Sequence, residues 1–131
     1  MKYSDFIGEV QHRLELDSQG AAVRATRVVL TTLGERLGEG EADDLASPLP
    51  QEIGRFLREA ESEQRFSYPE FVERVAERAG VEEADAAYYA QAIVELVAES
   101  EPGTEIEQVR DQLPEEFEPL FEFVGAEATP W

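Results

Sequence analysis

Cysteine is absent from the 131 residues, and lysine and histidine occur once each, as Lys2 and His12. Without cysteine there is no disulfide framework, no thiolate zinc site and no cysteine nucleophile. A histidine-based metal site would have His12 as its sole imidazole. Long uncharged runs are also missing. The longest, Ala86–Val94, covers nine residues, whereas a membrane span takes roughly 20. No apolar leader is visible, since Met1-Lys2 is followed by Asp5 and Glu9. These absences lead us to expect a soluble, cytoplasmic globular protein with no membrane association.

Positive charge is scarce too. Eleven basic residues face 30 acidic ones, giving a net charge of -19 and a pI near 4.2. Hydrophobic content is 42%, with seven Phe, four Tyr and one Trp, enough to close a core. Such a charge makes a folded chain repel itself at low ionic strength. Salt shortens the screening length from about 10 Å at 0.1 M to about 3 Å at 1 M. The acids are spread along amphipathic segments and do not form a tail. This distribution suggests a cytoplasm of high salt, the alternative being an acidic interaction domain from an ordinary cell.

An internal repeat organises the chain. At an offset of 65 residues Tyr3, Phe6, Val10 and Arg13 fall on Tyr68, Phe71, Val75 and Arg78, and Ala22, Ala25 and Val29 on Ala87, Ala90 and Val94. At an offset of 64, Leu49-Pro50-Gln51-Glu52 meets Leu113-Pro114-Glu115-Glu116. The shared positions are mostly apolar and helically spaced, as for a duplicated supersecondary unit. Two units of about four helices each are expected, near 2–58 and 67–122, packed as one pseudo-symmetric all-α domain with a short C-terminal tail. A unit of about 60 residues is marginal alone because it buries little surface, so the two copies are expected to share an interface.

In each unit a first helix carries an i, i+3, i+4, i+7 apolar stripe, Tyr3–Leu14 and then Tyr68–Ala79. Ser67 and Glu70 have capping-box spacing, with Phe66 and Phe71 at staple positions. Long second helices are expected at Gln19–Leu37 and Glu82–Ser100, stopped by Gly38 and by Pro102-Gly103. Short third helices hold Ala42 and Leu45, then Ile106 and Val109, and fourth helices begin near Pro50 and Pro114. The segment Arg58–Arg65 reads as a polar linker.

Two strings, Ala22–Leu37 with its pattern A-T-R-x-V-L-x-x-L-x-x-R-L and Asp44–Glu52, join the echoed Tyr-x-x-Phe openings at Tyr3 and Tyr68. Together they resemble the helical family named domain of unknown function twenty-two sixty-seven, over nearly the whole chain to about Phe121. The resemblance implies an all-α fold of two related halves. It implies no activity and carries over no catalytic or ligand residue.

The residues themselves offer little chemistry. His12 has no partner that would orient it as a base, and the serines at 4, 18, 67 and 100 lie where caps and turns are expected. Acid pairs such as Asp43-Asp44 lack a calcium-loop pattern. Residues 1–65 carry 8 basic and 13 acidic side chains, and residues 66–131 carry 3 and 17, with no basic–aromatic interleaving. No catalytic, metal or cofactor-binding residue is therefore nominated, and nucleic acid is not the expected partner. The expectation is a noncatalytic module for protein interaction or regulation, with self-association as one form. The alternative is a small-molecule or nucleic-acid binder using a cleft or surface formed by the two repeats.

The candidate interaction surface comprises Arg24, Arg27, Tyr89 and Leu96. At 100° steps Arg24, Arg27, Thr31 and Glu35 form the polar face of the first long helix. The second places Tyr89, Ala92 and Leu96 where the first has Arg24, Arg27 and Thr31, making it apolar nearly all round. That ridge either packs inside the protein or is a patch for a second copy or another protein.

Overall fold

The computed structural model describes residues 1–100 and 105–125. Pro102-Gly103, the expected stop of the second long helix, and the tail beyond Gly125 lie outside the described residues. Everything described is helical or loop. Helix α1 spans Tyr3–Arg13, α2 Gln19–Arg36, α3 Glu39–Ala46 and α4 Gln51–Arg58. Then come α5, Tyr68–Ala79, α6, Glu83–Ser100, α7, Glu105–Gln112, and a 3₁₀ helix at Glu115–Phe121. The all-α expectation is met.

Local chemistry explains the boundaries. The Ser18 hydroxyl accepts the Ala21 N–H at 3.1 Å, satisfying one orphan donor at the start of α2. At the start of α5 the Ser67 hydroxyl accepts the Glu70 N–H at 3.2 Å. The Glu70 carboxylate does not complete a capping box. It turns to Arg74, Oε2 to Nη2 at 2.7 Å, and the Tyr68 N–H goes to Glu116. Helix α5 stops at Gly80, whose φ of +70° is the left-handed region that glycine enters without a Cβ penalty. Pro50 and Pro114 occupy N-cap positions. The expected last helix of the second unit forms as 3₁₀ because Pro119 sits inside it. In an α-helix that ring would lack an N–H and press on the carbonyl four residues back.

Helix α2 is the axis of the packing and touches α1, α4, α5 and α6. Its approach to α4 is close enough to demand glycine: a Cβ on Gly34 would lie 2.7 Å from the Leu57 carbonyl oxygen. Thr26 and Thr32 are buried in α2 and donate back to the carbonyls of Ala22 and Val28. Further contacts join α1 to α6, α2 to α5 and α3 to α7, and one buried cluster runs from Phe6 to Phe121. Phe6 and Phe71, which stand 65 residues apart in the sequence, are both fully buried, and the Phe71 ring packs edge-on against Phe117.

The segment between the halves is more than a spacer. Glu63 N–H donates to the Leu37 carbonyl and Gln64 N–H to the Glu35 carbonyl, each at 2.8 Å. These bonds satisfy acceptors that the end of α2 leaves open. Phe66 is buried, with the Arg74 guanidinium stacked 3.9 Å above its ring.

Candidate functional site: the arginines of α2

Six arginines hold carboxylates: Arg13, Arg55, Arg58, Arg74, Arg78 and Arg110. Arg24, Arg27, Arg36 and Arg65 have no carboxylate partner among the described residues. Three of these lie on α2 and the fourth on the segment that folds back against its end. With 30 acids in the chain, four of the ten arginines are still left without one among the described residues.

Arg24 and Arg27 are exposed, three residues apart on one face. Arg24 donates through Nη2 to the Arg78 carbonyl at 3.2 Å, and Arg27 has no side-chain partner among the described residues. The strip continues along the α2–α5 seam. There Arg78 Nη1 reaches both the Thr32 hydroxyl at 2.9 Å and Glu35 Oε1 at 2.8 Å. Arg74 reaches the same Glu35 oxygen at 3.1 Å. Glu35, with its side chain only 13% exposed, thus serves two guanidinium groups. At the seam two guanidiniums are thus matched by the carboxylates of Glu35 and Glu70.

Tyr89 is half-buried and lines a cleft of about 380 Å³ with Arg24. Leu16, Ala25, Ala79 and Val81 supply its apolar wall. Two of the four surface candidates therefore meet at one place, and Arg27 stands one helical turn along. Leu96 does not belong to that surface. Its exposure is 0%, and Ala92 beside it on the ridge is buried as well. Helix α6 touches α1, α2, α5 and the 3₁₀ helix, so the ridge is enclosed by the protein's own elements. Of the two readings of the ridge, internal packing holds for Leu96.

Two further sites went unnoticed in the sequence. Tyr88 is 46% exposed, with its ring edge-on to Phe123 at 6.0 Å between centroids. It borders a cleft of about 570 Å³ with His12, Arg13 and Glu95. Tyr88 and Tyr89 point about 100° apart on α6, and the elements packed against that helix decide which of them is exposed. Arg36 and Arg65 line another cleft, near 520 Å³. Among the described residues, no group of three or more His, Asp or Glu side chains is placed to hold a metal ion. No helix among them is long and apolar enough to cross a membrane.

No curated protein matches the chain. A family description does: "uncharacterized conserved protein (DUF2267)" matches residues 3–120, nearly the whole of it. The match covers both the arginine-bearing α2 and the closing 3₁₀ helix, and by it the chain belongs to the DUF2267 family.

Proposed function

We propose that the protein is a noncatalytic helical module that binds an acidic segment of a protein partner through Arg24 and Arg27, in a high-salt cytoplasm. One observation carries this reading: Arg24 and Arg27 are exposed, adjacent on one helix face and without a carboxylate among the described residues, whereas six of the ten arginines hold one. Rim charges lose strength in molar salt. The apolar wall of the neighbouring cleft, with Tyr89 at its edge, supplies a contact that salt does not weaken. Arginine and tyrosine are also the residues on which interface energy concentrates. The two halves are read as copies of one unit, supported by element lengths of 11, 18, 8 and 8 residues against 12, 18, 8 and 7.

The test is capture from native extract in high-salt buffer, comparing the wild type with an Arg24→Glu/Arg27→Glu double variant. Both side chains are exposed, so in high-salt buffer, where the added negative charge is screened, the variant should stay folded with only a small drop in melting temperature from the lost Arg24 bond to the Arg78 carbonyl. A partner held stoichiometrically by the wild type and lost by the variant supports the reading. Equal capture by both proteins, or none by either, counts against it. Light scattering on the two proteins shows whether the partner is a second copy.

A further inference from the structure

The other two unpaired arginines meet where the end of α2, the segment joining the halves and the end of α7 come together. Arg36 is fixed at two points. Its Nε donates to the Phe66 carbonyl at 2.9 Å, and its guanidinium lies 5.1 Å from the Phe117 ring centroid. Neither Nη group has a protein acceptor among the described residues. Burial, and then the neighbouring Arg65 charge, lower the proton affinity of Arg36, with Glu116 and Glu41 acting in the opposite direction. Arg65 is exposed and has no side-chain partner of its own.

Carboxylates stand nearby without taking either guanidinium. Glu41 gives one oxygen to the Gly38 N–H at 2.9 Å, and its other oxygen is buried without a partner. Glu63 lines the same cleft and forms no ion pair. Two guanidiniums therefore face one cleft of about 520 Å³ with their Nη donors unused by protein among the described residues, although the carboxylates of Glu41 and Glu63 share its wall and Glu116 also acts on Arg36.

We propose that this cleft binds a small oxyanion, a phosphate or carboxylate group held between the Arg36 and Arg65 guanidiniums. The planar fork of arginine matches both groups through paired N–H donors. Because Arg36 is already held by Phe66 and Phe117, little side-chain freedom is lost on binding. Glu41 and Glu63 in the wall oppose a second negative centre, which restricts the ligand to one anionic head. Gln112 adds an uncharged donor and acceptor for the remainder. The site is separate from Arg24 and Arg27 and does not depend on their role.

Titration of the isotope-labelled protein with inorganic phosphate, and separately with acetate, tests this by amide chemical shifts. Ionic strength is held constant with KCl at the lowest concentration that keeps the full helical signal. The expected result is a saturable shift centred on Arg36, Gly38 and Arg65. Arg65→Gln, which removes no contact within the protein, should weaken binding by about tenfold or more at unchanged melting temperature. Arg36→Gln should also weaken binding, with some loss of melting temperature because its contacts with Phe66 and Phe117 go, while Arg55→Gln, whose arginine pairs with Glu59 at the end of α4, should leave binding unchanged. Saturation by phosphate alone identifies a phosphate-bearing ligand, by acetate alone a carboxylate, and by both the shared oxyanion chemistry. No saturable shift with either probe, or undiminished affinity in Arg65→Gln, overturns the proposal.

Discussion

Arg13 and Glu99 form two parallel hydrogen bonds, Nη1 to Oε2 and Nη2 to Oε1, each at 2.9 Å. They join the first helix of one half to the long helix of the other. Arg13 also reaches Glu9 at 3.0 Å and Glu95 at 3.2 Å, so one guanidinium holds three carboxylates. The bond to Arg13 draws the Glu99 carboxyl below its ordinary pKa of 4.5, with partial burial opposing.

Arg13→Met should therefore leave three acids repelling one another. About 1 kcal/mol of stability should be lost, a figure held low because Glu99 is half exposed. The pH dependence follows from the depressed carboxyl. Its stabilisation is complete above about pH 4.5 and disappears as pH falls through the lower folded-state value. Melting curves between pH 3 and 7 check this: the wild type should lose the Arg13–Glu99 share of its stability on acidification, and Arg13→Met should lack that share. A variant matching the wild type at pH 7 would remove the network from the account.

Phe6→Ala and Phe71→Ala should each cost about 3–5 kcal/mol, since both rings are fully buried and truncation leaves a cavity. Denaturant midpoints give the measurement. Costs below about 0.5 kcal/mol at both positions would show that these are not core sites.

Leu96→Glu should abolish folding at every salt concentration, because it places an unpaired charge where exposure is 0%. Circular dichroism decides. A folded variant would return Leu96 to the surface.

The helices were legible because apolar spacing and Gly/Pro punctuation are local signals. The spacing predicts the first long helix over Gln19–Leu37, and it forms over Gln19–Arg36. The enclosure of Leu96 was only half legible. A 100° projection shows which residues share a side of α6, not how many neighbours surround it. The meeting of Arg36 with Arg65 was not legible at all. It depends on Glu63 and Gln64 bonding back to α2 through their backbones, which side-chain composition does not encode. Pro119 was visible in the sequence, yet the match of the two Leu-Pro segments said nothing of its effect on helix type.

Salt should govern stability as a whole. With a net charge of -19, the melting temperature should rise substantially between 0.1 M and 2 M KCl as self-repulsion is screened. An unchanged melting temperature would remove the high-salt reading.

The contacts of α1 and α2 with α6 set an order of events during synthesis. A nascent chain that has released only residues 1–66 has α1 and α2 without the helix that covers them, and α6 is complete only when Ser100 emerges. Until then α1 and α2 have part of their packing missing, and non-local pairing must wait for its partner. The fragment 1–66 should accordingly be helical but melt without a cooperative transition, and bind a hydrophobic dye that the whole chain excludes. The first half of this protein is thus the part in need of shelter on the ribosome, and the long helix of the second half ends that need.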